Sequence, residues 1–83
     1  MYYVIFSPRA NKESKKLPER YRKAIKEAIE EMNENPYAGK PLSRELTRRY
    51  SYRIGVYRIV YKISERDKKI YVITVGHRAT VYE

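Results

Sequence analysis

Between Tyr50 and Val75 three β-rich segments follow one another almost without interruption, and this run constrains the fold more than any other stretch of the chain. Tyr50–Ile54, Val56–Ile63 and Lys69–Val75 are dense in tyrosine, isoleucine and valine, residues that suit a pleated, half-buried surface. Gly55 marks the junction of the first two, and Ser64–Asp67 supplies the turn between the second and third. Connections this short imply antiparallel pairing, because a parallel return needs a crossover of a dozen residues or more.

Upstream, Tyr2–Phe6 reads as a further strand. Ser7-Pro8 then starts a helix, with Ser7 as the cap and Pro8 in the first helical position. This helix is predicted to reach about Lys16, and Leu17-Pro18 breaks it, because a residue before proline avoids the helical region. A second helix is predicted from Pro18-Glu19 to about Glu34, where Tyr21, Ile25, Ala28, Ile29 and Met32 recur at helical spacing and Asn35-Pro36 ends the run. Residues 37–48 form a basic loop around Gly39-Lys40-Pro41, and 76–83 a polar tail. The order is β-α-α-β-β-β. It predicts a single α+β domain, residues 1–83, in which the helical pair packs on one face of an antiparallel four-stranded sheet.

Eighty-three residues allow only a thin core, since a chain this short buries about 60% of the surface its unfolded form exposes. The absence of cysteine excludes a disulfide scaffold, a thiolate metal site and a cysteine nucleophile. One histidine and scattered acids are poor ligand stock, so neither a metal nor another cofactor is expected. No run approaches the roughly 20 apolar residues of a membrane span, and Tyr2–Phe6 is too short for a secretory signal. A soluble, cytoplasmic chain without a membrane partner is the expectation. Nineteen Lys plus Arg against ten Asp plus Glu leave a net charge of +9. That surplus favours polyanions by raising their local concentration and releasing their counterions.

Alternation along the strands sharpens this. Tyr57, Ile59, Tyr61 and Ile63 share one face, and Tyr50, Tyr52 and Ile54 one face of the preceding strand. These apolar faces should meet the helices, which leaves Arg53 and Arg58 on the other face as near neighbours. Arg58 sits between Val56 and Val60 on its face, where a charge is costly unless it has a partner or a task.

The stretch Tyr50-Ser-Tyr-Arg-Ile-Gly-Val-Tyr-Arg-Ile-Val-Tyr61, with Val75-Gly-His-Arg-Ala-Thr-Val-Tyr82 behind it, resembles the RelE/ParE toxin superfamily. Phe6-Ser-Pro-Arg-Ala10, Leu17-Pro18, Asn35-Pro36 and Gly39-Lys-Pro-Leu42 agree, so the resemblance covers essentially the whole chain. It implies a RelE-like fold and a toxin that cleaves mRNA in the A site of the 30S ribosomal subunit, where the ribose 2′-OH attacks the adjacent phosphorus. It implies that Arg58 holds the scissile phosphate, that Arg78 stabilises the transition state or protonates the leaving group, and that a substrate base stacks on Tyr82. Arg53 falls where the family often lines the same site with a basic residue. Lys40, Arg44, Arg48, Arg49 and Lys62 are further candidates for RNA contact, and 16S rRNA phosphates for the basic helices. The implied partners are a RelB-like antitoxin, the ribosome and mRNA, with operator DNA reached only through the antitoxin complex.

Arginine forks suit the charge that builds on a phosphoryl group, but arginine stays protonated and is no general base. Relatives with lysines on the second strand differ from this chain, which has Ser51 and Arg53 there. The base is therefore open between His77, Tyr52 or Tyr82, and Lys40 or Lys62; the Gly-Lys-Pro loop has no acid before Glu45. Two other functions fit the same resemblance: a ParE-like poison of DNA gyrase, and an inactive toxin-fold co-repressor acting with an antitoxin.

Overall fold

The computed structural model describes residues 1–41 and 49–77. Its elements are β1 (Tyr3–Phe6), α1 (Pro8–Lys15), α2 (Glu19–Glu34), β2 (Lys40–Pro41), β3 (Arg49–Ile54), β4 (Tyr57–Ser64) and β5 (Lys69–His77). The α+β class and the helical pair on one face agree with expectation. The sheet differs in two respects: it has five strands, in the order β1-β5-β4-β3-β2, and it is mixed. β3, β4 and β5 pair antiparallel, as their short turns require, but β1 runs parallel to β5. No tight turn joins β1 to its neighbour β5, so local sequence does not set its direction; two helices and three strands separate the two along the chain. The extra strand, β2, is two residues long and too short to show alternation. Its Pro41 is tolerated because an edge strand need not donate on its outer side. The third strand of the tight run also extends beyond Val75 to His77, into the stretch expected as tail.

α1 starts as anticipated: the Ser7 side chain accepts from the Ala10 N–H at 3.0 Å, with Pro8 at the first position. α2 buries Ile25, Ala28 and Met32, the stripe at helical spacing, while Ile29 packs at its margin. These residues and Ala10 of α1 meet Ile59, Tyr61, Ile70, Val72 and Val75 of the central strands in one core. The β3–β4 turn is two residues long, and Gly55 takes a φ of +57°, the left-handed conformation that glycine adopts without strain.

Between Val60 and Tyr61 the partner on β5 jumps from Thr74 to Val72, so Ile73 is the extra residue of a β-bulge. A bulge leaves backbone groups outside the ladder, and α1 takes them up. The Ser7 hydroxyl donates to the Ile73 carbonyl at 2.8 Å. Glu13 Oε1 accepts from the Val75 N–H at 3.0 Å and from the Thr74 hydroxyl at 2.7 Å, while Oε2 faces Arg9 at 3.3 Å. One carboxylate thus ties α1 to the bulge. Glu13→Ala is expected to destabilise the fold by about 1–3 kcal/mol, the cost of a buried donor left without its acceptor. Urea unfolding would read this, and an unchanged midpoint would show that solvent replaces the carboxylate.

Candidate nucleic-acid interface

Cross-strand register sorts the strand cations. Arg53 stands directly opposite Arg58, Arg49 opposite Lys62, Ser51 opposite Val60, and Lys40 opposite Ser51. Directly opposed residues share a face, and the alternate residues Tyr50, Tyr52, Ile59 and Tyr61 pack towards the helices. Lys40, Arg49, Arg53, Arg58 and Lys62 therefore stand together on the face of β2, β3 and β4 turned away from α1 and α2. Arg53 and Arg58, expected as neighbours, are directly opposed like charges, and the Arg53 Nε–H donates to the Gly55 carbonyl at 3.3 Å; an anion between the two would add to the stability of this arrangement. Arg58 is half-buried and its Nε is enclosed, whereas Arg53, Lys40 and Lys62 are exposed.

β2 pairs with Tyr50 and Ser51, and the chain leading into it, Ala38-Gly39, bends past the rest of β3. A cleft of about 340 Å³ opens there, lined by Lys40, Ser51, Arg53 and Arg58 and, from the α2 side, by Glu31 and Tyr52. Its wall is held by a buried hydroxyl: Tyr61 donates to the Pro36 carbonyl at 2.8 Å and accepts from the Gly39 N–H at 3.0 Å. Burial pushes the Tyr61 phenol above its usual pKa, so it remains a donor. Gly39 allows this closeness, since a Cβ at that position would stand 2.6 Å from the Tyr61 oxygen and 2.9 Å from the Ser51 carbonyl.

The Tyr52 hydroxyl donates to Glu31. That bond, with burial and the carboxylate's charge behind it, pushes the Tyr52 pKa up to about 12. Tyr52 is thus a poor base, because the lowered pKa that role needs is replaced by a raised one. A phenol whose folded pKa exceeds its unfolded value of about 10 contributes stability that is complete below pH 10 and lost as pH rises towards 12. Melting temperature is expected to fall through that window, and Tyr52→Phe to flatten the fall; an identical alkaline profile in the variant would refute the assignment.

His77 stands opposite Tyr57, their rings 6.1 Å apart, on the side of the sheet that faces α2; Arg58 is opposite Gly76 on β5. The structure therefore brings Arg53, Arg58, Lys40, Arg49 and Lys62 onto one face and places His77 on the other. Arg78, Tyr82, Arg44 and Arg48 lie outside the described residues. Nothing in the sequence singles out Glu31, a polar residue off the apolar stripe of α2. Helical periodicity identifies the buried side of a helix, but says nothing of which strand edge its flank overhangs.

A small domain with a helical pair on a mixed sheet and a cationic opposite face matches solved toxins. The structure superimposes on a chain of the Mycobacterium tuberculosis RelBE2 toxin–antitoxin complex with a TM-score of 0.84 and 37% identity, covering 93% of this chain and 98% of that one. It superimposes on the isolated Escherichia coli RelE toxin with a TM-score of 0.81 and 31% identity, covering 99% and 92%. The sequence is 37% identical to the toxin RelG of M. tuberculosis over 98% of this chain and 95% of the relative. Residues 4–82 match the model of the ParE toxin family of type II toxin–antitoxin systems. The chain belongs to the RelE/ParE superfamily of type II toxins.

Proposed function

We propose that this toxin is a ribosome-dependent endoribonuclease that cuts mRNA in the A site by attack of a ribose 2′-OH on the adjacent phosphorus, releasing a 2′,3′-cyclic phosphate and a 5′-OH. The observation that carries the reading is the direct opposition of Arg53 and Arg58 on the face turned away from α1 and α2, beside a cleft walled by Lys40. A bridging phosphate relieves their repulsion, and the Arg58 guanidinium is well suited to bind the non-bridging oxygens in a bidentate fork. Charge building on those oxygens is stabilised by cations already in place, and the reaction needs no metal. Arg78 completes the charge at the phosphorus and Tyr82 supplies the stacking surface, as the family resemblance implies. Arg44, Arg48, Arg49 and Lys62 add sequence-independent phosphate contacts.

A RelB-like antitoxin is the second partner. The groove between α1 and α2 has an apolar floor of Phe6, Ile25 and Ile29 under a rim that includes Lys15, Lys23 and Lys26. That chemistry suits an acidic amphipathic segment that folds on binding.

The match to the ParE family model favours one alternative, poisoning of DNA gyrase. Mapping new mRNA 5′ ends after induction separates the two. Codon-phased ends are the expected result, and DNA breaks with intact mRNA would overturn it. Growth unaffected by the chain alone would instead mark an inactive co-repressor.

A further inference from the structure

The described residues lining the cleft beside Arg58 include one carboxylate, Glu31, which reaches it from α2. Its position follows from the helix: Ala28 and Met32 are buried on the core side, and Glu31 sits on the flank that overhangs the open part of β3. There its Oε2 accepts the Tyr52 hydroxyl, which orients the carboxylate. An ionised carboxylate has about four acceptor sites, so one bond to Tyr52 leaves capacity for a substrate hydroxyl. Of the groups in this cleft, the guanidinium ions cannot remove a proton, and Tyr52 is held protonated by the same bond.

We propose that Glu31 is the general base of the cleavage reaction, oriented by Tyr52, and that Lys40 across the cleft is the general acid. The inference rests on the endoribonuclease reading above. In the step, the O2′–H bond breaks and its proton passes to the Glu31 carboxylate. The O2′ electron pair forms the new bond to phosphorus. The P–O5′ bond breaks, and the departing oxygen keeps its electron pair and takes a proton from the Lys40 ammonium. Proton return from the Glu31 carboxylic acid to the Lys40 amine through solvent restores both groups, so protons and charge balance with no co-reactant. Arg53 and Arg58 hold the phosphate throughout.

The test uses the full chain with programmed ribosomes, and compares the wild type with Glu31→Gln, Glu31→Asp and Tyr52→Phe. Glutamine still accepts from the Tyr52 hydroxyl but takes no proton. E31Q is expected to lower the cleavage rate by about 10²–10³-fold, within the range of general-base removal, and to abolish the acidic limb of the pH–rate profile while ribosome binding and melting temperature are unchanged. E31D keeps the carboxylate and is expected to retain that limb at reduced rate. Y52F, which disturbs only the orientation, is expected to lose less than E31Q and to keep the limb. An E31Q protein that cuts at the wild-type rate with the wild-type profile would show that Glu31 only tethers α2 to β3, and would leave the endoribonuclease reading standing. If E31Q is less stable, failure of E31D to show the acidic limb would equally overturn the proposal. Wild-type protein that leaves ribosome-bound mRNA intact would overturn both.

Discussion

Replacing Arg58 by alanine is expected to reduce mRNA cleavage by about two to three orders of magnitude, the scale of losing one preorganised donor to developing negative charge, without loss of fold. The second half of that statement follows from the register. Arg58 lies between the half-buried Tyr57 and the buried Ile59, with Arg53 opposite it on β3 and Gly76 opposite it on β5. Like charges set directly opposite one another oppose folding, and enclosing part of a guanidinium costs hydration. Alanine leaves the β3–β4 and β4–β5 ladders intact, and the R58A protein is expected to stay folded. Arg58→Lys retains the charge but not the planar fork, and is expected to fall between alanine and the wild type. Primer-extension mapping of cut sites alongside thermal melts separates function from stability. A folded R58A protein that cuts like the wild type would remove the central element of the proposed function.

The second large effect is on stability. Tyr61 is fully buried, and its hydroxyl serves two partners, the Pro36 carbonyl at 2.8 Å and the Gly39 N–H at 3.0 Å. Tyr61→Phe preserves the ring and its stacking on Tyr50, 5.7 Å away between centroids, while both partners lose their bond. The expected cost is about 1–3 kcal/mol, and each kcal/mol lowers the melting temperature of a domain this size by roughly 4–8 °C. Gly39→Ala attacks the same contact from the other side, because its Cβ would collide with the Tyr61 oxygen. The double variant is expected to lose less than the sum of the single changes, since the phenylalanine removes the atom that the alanine strikes. The loop in question delivers Lys40 to the cleft, so both variants should also lower cleavage. Strict additivity in a double-mutant cycle would show that hydroxyl and glycine act separately.

Those two residues show what kind of information the chain holds about itself. Arg58 was legible because strand alternation is a local rule: a charge between two valines on one face stands out in the sequence alone. Tyr61 was legible only as a core tyrosine, since its hydroxyl partners lie 25 and 22 positions away in a loop. The Glu31–Tyr52 pair was illegible for the same reason. Tyr52 stands among the candidate bases in the sequence, and the partner that raises its pKa comes from another element.

What the sequence determined by itself is the two helices and four of the strands, the antiparallel run of β3, β4 and β5, the apolar stripe of α2 and the facing of Arg53 and Arg58 away from the helices. Each follows from interactions within a few residues: a cap, a proline, a short turn, a period of two or of 3.6. Tertiary structure alone decided that β1 joins β5 in parallel, that Lys40-Pro41 adds a strand, that His77 faces Tyr57 and not Arg58, and that a carboxylate from α2 enters the cleft. Those features depend on how separate elements pack against one another, and side-chain periodicity along one segment carries no information about the neighbour it will meet.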